Sequence, residues 1–214
     1  RSRKYIWIMK SLYKIYSIDF DIEMSNFEGD RVINLKRILL EMQYNEDLFL
    51  PFTSLKILVN DTEGIIERFP VVGDEIIAVK IKTPTTGAEG TFYKAFKINK
   101  LSKRTVAEER NHIFAIEAIS REFFVNKTTN IEYSYKGKTG SQIISDVYEN
   151  YFKKYQKELE VEDSNNLITI NSNTQAPLEF VNQVSAYTSN SKYKSSVYKF
   201  YEDRNGFKFK TINS

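Results

Sequence analysis

The stretch Glu75-Ile76-Ile77-Ala78-Val79-Lys80-Ile81-Lys82, the small residues that follow it, and Phe92-Tyr93-Lys94-Ala95-Phe96-Lys97-Ile98-Asn99-Lys100-Leu101 decide the fold class. Both arms largely alternate, which is the period of a strand, where successive side chains point to opposite faces. Between them Thr85, Thr86, Gly87, Ala88, Glu89 and Gly90 supply two glycines and no large side chain, so the segment reads as a hairpin loop. Ile77, Val79 and Ile81 lie on one face and Ile76 and Ala78 on the other, so one face is expected to cover a core and the other to need a further partner.

Working outward, residues 52–60 repeat the pattern, with Leu55, Ile57 and Val59 opposed to Ser54, Lys56 and Leu58. Residues 13–22 and 111–119 also read as strands. Residues 31–42 are assigned to a strand, although Ile33, Leu35, Ile38 and Leu40 fit neither period cleanly. Asp61 is placed to cap a short helical turn through Arg68, and Pro70 ends it. Short connections without long helices predict antiparallel pairing in a barrel or sandwich that closes near Ser120.

The pattern then changes. In residues 141–155, Ile143, Ile144, Val147, Tyr148, Tyr151, Phe152 and Tyr155 recur every three or four residues, the spacing of an amphipathic helix, with Ser141 as its cap. Residues 158–166 read as an acidic linker and residues 167–171 as a short strand. Pro177 suits the first turn of a second helix bearing Leu178, Phe180, Val181, Val184 and Tyr187. Residues 196–203 and 207–213 alternate around the turn Arg204-Asn205-Gly206. The expected fold is mainly β with α+β elements: an antiparallel β-barrel domain over residues 12–120, then a segment over residues 121–214 with two short amphipathic helices and part of a second β domain.

Composition narrows the function. The 31 basic and 28 acidic side chains leave a net charge of +3, which is mixed-sign solvation rather than a nucleic-acid-binding field. No cysteine is present, so disulfides and thiolate metal sites are excluded. Apolar runs such as residues 38–40 fall far short of the roughly 20 residues a membrane helix needs, and no membrane insertion is expected. The 14 tyrosines and 15 phenylalanines suit a pleated surface.

Catalytic signals are missing from the sequence. His112 is the single histidine, which removes sites needing two imidazoles, and it reads as a surface or edge residue. Glu46 with Asp47, and Glu108 with Glu109, are neighbours that a strand would point to opposite faces. Gly137-Lys138-Thr139 precedes the first helix, but Glu132 stands where a phosphate loop needs glycine. Asn60-Asp61-Thr62 and Asn126-Lys127-Thr128 fit glycosylation sequons and read as chance matches. Lys192, Lys194, Lys199, Arg204, Lys208 and Lys210 form a basic hairpin, either the wet face of strands or a surface for nucleic acid or an acidic protein. The expectation is no enzyme, with no catalytic, cofactor-binding or metal residues and no cofactor.

Three stretches taken together resemble the baseplate hub proteins of contractile-tailed, T4-like bacteriophages. They are Glu46-Asp47-Leu48-Phe49-Leu50-Pro51-Phe52 running into the strand to Asp61; Gly64-Ile65-Ile66-Glu67-Arg68-Phe69-Pro70-Val71-Val72-Gly73-Asp74-Glu75; and Phe200-Tyr201-Glu202-Asp203-Arg204-Asn205-Gly206-Phe207-Lys208-Phe209. The resemblance implies tail-tube-like β-barrels and a homotrimeric ring connecting the central spike to the tail tube. Its partners would be the tail spike, tail tube and tape measure proteins, and it would be located in the virion. The loop Thr85, Thr86, Gly87, Ala88, Glu89, Gly90 and Thr91 is the candidate interface, with an ordinary hairpin tip as the other reading. An alternative function is a non-catalytic β-barrel binding module for nucleic acid or cell-wall glycan, favoured if Tyr133, Tyr135, Tyr198 and Tyr201 share one exposed groove. An enzyme would need a pair of perturbed acids that the sequence does not nominate.

Overall fold

The computed structural model describes residues 3–7, 19–69, 71–82, 91–108, 111–190 and 197–212. Strands β1 (Arg3–Trp7), β2 (Asp19–Ser25), β3 (Val32–Asn34), β4 (Leu39–Glu46), β5 (Ser54–Asp61), β6 (Ile76–Lys82), β7 (Thr91–Glu108) and β8 (Asn111–Ser120) form one sheet in the order β1-β4-β5-β8-β7-β6-β2-β3. The hairpin that set the fold class is present, with β6 and β7 antiparallel from Ile76↔Lys97 to Lys82↔Thr91. Its loop, residues 83–90, lies outside the described residues, and so do residues 13–18, Pro70, Glu109, Lys192 and Lys194.

The antiparallel β-rich class holds, but among the described residues nothing pairs β1 with β3, so no closed barrel forms. Strand β3 has three residues and pairs only from Glu23↔Asn34 to Ser25↔Val32, too short an edge to carry a closing ladder. Residues 31–42 are not one strand. They contain β3, a turn and the start of β4, and Leu35 and Ile38 are buried at the turn, where Ile38 N–H donates to the Leu35 carbonyl at 3.2 Å. Two strands joined by a tight turn explain the mixed period. Strand β7 runs past the expected Leu101 to Glu108, with three register shifts that mark bulges against β8.

One face of the sheet is the core: Ile22, Met24, Ile57, Val59, Ile77 and Val79 are inaccessible to solvent. Chain contacts define two compact units, one made of Lys4–Asn45 and Ser54–Ser120, the other of Arg121–Ser214 with the segment Glu46–Thr53. The loop between β4 and β5 therefore belongs to the second unit. In the first unit, the buried Asp61 carboxylate accepts from Ile65 and Ile66 N–H at 2.8 and 2.7 Å and holds helix α1 (Ile65–Arg68), as expected. Buried Glu75 does the same for the turn at Gly73, accepting from Val72 and Gly73 N–H at 2.7 and 2.9 Å.

The second unit contains α2 (Glu122–Thr128), β9 (Ser134–Thr139), α3 (Gly140–Val147), β10 (Glu158–Val161), β11 (Leu167–Asn171), α4 (Pro177–Tyr187), β12 (Tyr198–Asp203) and β13 (Gly206–Thr211). The cap of α3 is Thr139 rather than Ser141: its hydroxyl accepts from Gln142 N–H, and the Gln142 side chain reaches back to Thr139 N–H. After Val147 the helix widens into a π turn, Tyr148–Phe152, and tightens into a 3-10 turn, Lys153–Tyr155. The aromatic stripe still faces inward, with Phe152 inaccessible and its ring 5.6 Å from that of Phe207. Asn126 of the second sequon accepts from Leu178 N–H at 2.7 Å and so secures the first turn of α4.

The linker expected at residues 158–166 is in part β10, which pairs in parallel with β13 from Glu158↔Gly206 to Val161↔Phe209. A four-residue acidic strand has no periodic signal of its own, and its partner across the sheet makes it a strand. Gly206 is essential to that pairing. Its φ is +138°, and a Cβ there would meet the Glu158 carbonyl oxygen at 2.4 Å.

Phe152→Ala is expected to cost about 3–5 kcal/mol in chemical denaturation, the price of emptying a fully buried aromatic site. Gly206→Ala is expected to destabilise by about 1–3 kcal/mol from backbone strain alone, and hydrogen exchange should show β10 losing protection first.

Candidate assembly surfaces and a buried charge cluster

Opposite the core, the sheet of the first unit presents Ile76, Ala78, Ala95, Leu58, Ile113 and Ile119, all half-buried. Leu58 lies across from Ala115, and Ala78 from Ala95, so small side chains keep parts of this face low. The face is not uniformly apolar, because Lys56 and Glu117 pair across β5 and β8 at 3.6 Å. This mixed, shallow surface meets the expectation of apolar side chains on both faces. Thr91, the described residue of the candidate loop interface, starts β7 and is exposed.

The expected alternatives lose their residues one by one. Tyr135 and Tyr198 are buried, with hydroxyls donating to Asp146 and to the Asp163 carbonyl, both at 2.6 Å. Burial, with Asp146 beside it, pushes the Tyr135 phenol up and keeps it protonated. Tyr133 is exposed and Tyr201 half-buried, so the four tyrosines do not share one exposed groove. Of the basic hairpin, Lys208 and Lys210 both pair with Glu160 on β10, Lys208 at 2.5 Å, and together hold that carboxyl down to about 2. Lys199 lies 5.6 Å over the Phe49 ring. His112 is not at an edge: β8 runs between β5 and β7, and His112 pairs with Asp61 and Val106. Asp47 accepts from Phe49 N–H at 2.9 Å in its own turn. Gly137 and Lys138 lie in β9, and Thr139 caps α3. Among the described residues no cluster of three or more histidines or carboxylates is arranged to hold a metal.

The sequence did not reveal a pair of acids in the second unit. Lys157 Nζ lies 2.7 Å from Glu122 Oε2 and 2.6 Å from Glu202 Oε1, and the two glutamates expose 1% and 0% of their side chains. Glu202 Oε2 also accepts from Thr53 N–H at 3.0 Å. Lys157 is delivered by the turn at Gln156, whose φ of 59° ends the 3-10 turn, and by the Tyr148 hydroxyl, which donates to the Lys157 carbonyl. Glu122 opens α2 directly after β8, and Glu202 lies on β12. Two carboxylates share one ammonium, and among the described residues Glu122 Oε1 has no hydrogen-bond partner. Burial raises the Glu122 carboxyl; the neighbouring Glu202 adds to the rise, and Lys157 opposes it.

The three groups tie α2, the turn at Lys157 and β12 to one another, and neither the groove at Asp19, Phe20, Asn34, Lys36 and Lys80 nor the one along β11 is lined by either glutamate. No signal in the sequence links Glu122, Lys157 and Glu202, since each is one of many exposed-looking charges until the fold brings them together.

No protein-family model matches the chain, and no curated protein matches it. Its fold is found in solved tail proteins. It is similar to the 43 kDa tail protein of prophage MuSo2 from Shewanella oneidensis, at 9% identity and a TM-score of 0.58 over 90% of this chain and 53% of that one. The tail protein from Neisseria meningitidis MC58 gives 12% identity and a TM-score of 0.53 over 89% and 50%. Prophage tail protein gp18 from Listeria monocytogenes gives 12% and 0.50 over 88% and 50%. The fold is shared with phage tail proteins. The chain spans about half the length of these three structures.

Lys157→Met leaves two buried carboxylates without their cation and is expected to cost about 3–5 kcal/mol. A raised carboxyl binds its proton more tightly in the folded state, so its contribution is present at low pH. That contribution is lost as pH rises from the ordinary carboxylate range through the folded value. Glu122→Gln is therefore expected to flatten the fall in stability as pH rises above the ordinary carboxylate range, read by urea titration at a series of pH values across that rise.

Proposed function

We propose that this chain is a structural virion protein of a phage-type tail, acting in the baseplate hub of a contractile tail between the central spike and the tail tube. The observation that carries this reading is the fold shared with three tail proteins over about nine tenths of the chain. The three hub-like sequence stretches support it in the same direction. Each of them holds a buried carboxylate, Asp61, Glu75 and Glu202 in turn, that accepts backbone N–H groups, so these stretches build turns and ties.

In this reading three copies close into a ring, which is one way for a mixed, half-buried sheet face to be covered by like subunits. The spike, tube and tape measure proteins are its partners in the virion. No covalent or acid–base step is involved. The loop Thr85 to Thr91 contributes subunit or tube contacts through backbone groups that pair with a neighbouring strand edge.

The mass of the purified assembly in solution tests the ring. Three chains per particle, or a multiple, is the expected result, and a strict monomer at micromolar concentration overturns it. Shortening Gly87 to Gly90 to a two-residue turn is expected to keep the monomer folded while reducing that mass. His112→Ala is expected to leave it unchanged.

A further inference from the structure

The four carboxyl oxygens around Lys157 are not equally served. Glu202 uses both of its own: Oε1 lies 2.6 Å from Lys157 Nζ, and Oε2 accepts from Thr53 N–H at 3.0 Å. Glu122 uses one, Oε2 at 2.7 Å from the same ammonium, and among the described residues its buried Oε1 has no hydrogen-bond partner. One positive charge cannot neutralise two, and of two buried carboxylates around one cation the less well served is the one to keep a proton. A neutral carboxyl with an idle oxygen also costs less to bury than a carboxylate with the same defect. The contacts therefore assign the proton to Glu122. Burial of that carboxyl, with Glu202 beside it, acts in the same direction against the opposing pull of Lys157.

Segment 46–53 is seated on the two elements that carry these glutamates, within the same compact unit. Thr53, inaccessible to solvent, donates to Glu202 of β12. The Phe52 ring lies 4.6 Å from that of Phe123, the residue after Glu122 on α2. Lys199 of β12 lies 5.6 Å over the Phe49 ring. The hydrogen bonds from Phe49 N–H to Asp47 Oδ1, at 2.9 Å, and from Leu50 N–H to the Asp47 carbonyl, at 3.1 Å, close a turn inside the segment. At the tip of that turn Phe49 is 57% and Leu50 42% exposed.

We propose that Glu122 holds a proton that keeps segment 46–53 seated, and that losing this proton as the pH rises unseats the segment together with its Phe49-Leu50 tip. With Glu122 ionised the cluster carries a net negative charge in the interior, and water must reach Oε1 to solvate it. Water enters by loosening the contacts around α2 and β12, and the Phe52–Phe123 and Thr53–Glu202 contacts are among these. In the unseated form Glu122 meets water and is an ordinary carboxyl. The seated form therefore binds the proton more tightly, so seating is complete at low pH and is lost as the pH rises through the seated value. The charged groups facing Glu122 are Lys157 from the turn at Gln156 and Glu202 from β12. Arg121, beside it in the chain, has its guanidinium 5.3 Å over the Tyr155 ring, and β13 contributes the uncharged Phe207 ring, 5.6 Å from Lys157 Nζ. Burial raises the Tyr155 phenol, Glu122 adds to the rise, and Arg121 and Lys157 oppose it, so Tyr155 stays neutral while Glu122 titrates. The proposal stands on this cluster and not on the hub reading, so the solution mass of the assembly and the result below fail independently.

The test follows the full chain, labelled with carbon-13 and nitrogen-15, by NMR across a series of pH values. The expected result is a Glu122 side-chain carboxyl that titrates above the ordinary carboxylate range, with the Thr53, Phe49 and Leu50 amides shifting at the same midpoint. Glu122→Gln keeps the shape of the neutral form and removes the titration. In that variant the amides of the segment are expected to stay still through the same range. Above the wild-type midpoint its Thr53 amide is expected to exchange with solvent roughly tenfold or more slowly than that of the wild type at the same pH. The wild-type titration decides by itself if the variant folds poorly. A Glu122 carboxyl that titrates in the ordinary range overturns the proposal. So does a Thr53 amide that stays still through the Glu122 midpoint, and so do segment shifts that persist in Glu122→Gln.

Discussion

One ammonium group organises the second unit. Lys157 Nζ reaches carboxylates 35 and 45 residues away along the chain, and through Glu202 the tie extends to a backbone N–H 149 residues from it. Closing loops of that length costs entropy that local contacts do not return. A buried ion cluster returns it only when all its members are in place, because one carboxylate without its cation is worse than none. The strained turn at Gln156 is therefore retained: it aims Lys157 inward, and the cluster compensates for the left-handed backbone.

The cluster also explains why the loop between β4 and β5 belongs with the second unit. Thr53 is held by Glu202, and the Phe52 ring lies 4.6 Å from that of Phe123. Two of the hub-like stretches, far apart in the chain, thus meet at one hydrogen bond. Their acidic residues do work that composition alone assigns to solvent: Asp61, Glu75 and Glu202 are buried and accept from backbone N–H groups. A carboxylate accepting such hydrogen bonds fixes a turn more firmly than a neutral side chain does.

The first unit depends on a different constraint. One sheet face is sealed by alternating Ile, Val, Leu, Met and Phe, and the other carries half-buried small and apolar side chains between charge pairs. A sheet of this kind gains its stability from the core face. Among the described residues its strand order ends at β1 on one side and β3 on the other.

Strands with a clean period were legible in the sequence by itself. Residues 52–60, 75–82 and 111–119, the hairpin around Gly206, and the helix opened by Pro177 all follow from side-chain spacing and turn residues, because those signals are local. The absence of paired histidines and of cysteines was equally legible. Tertiary structure alone decided the rest. Strand β10 exists because β13 lies beside it, residues 31–42 fold into two strands because Leu35 and Ile38 are drawn into the core, and the cap of α3 moved to Thr139 where its reciprocal hydrogen bonds close. The Glu122–Lys157–Glu202 cluster and the hydrogen bond from Thr53 to Glu202 could not be read ahead of the fold. Each is a relation between segments distant in sequence, and no spacing rule links residues whose only connection is the space they share.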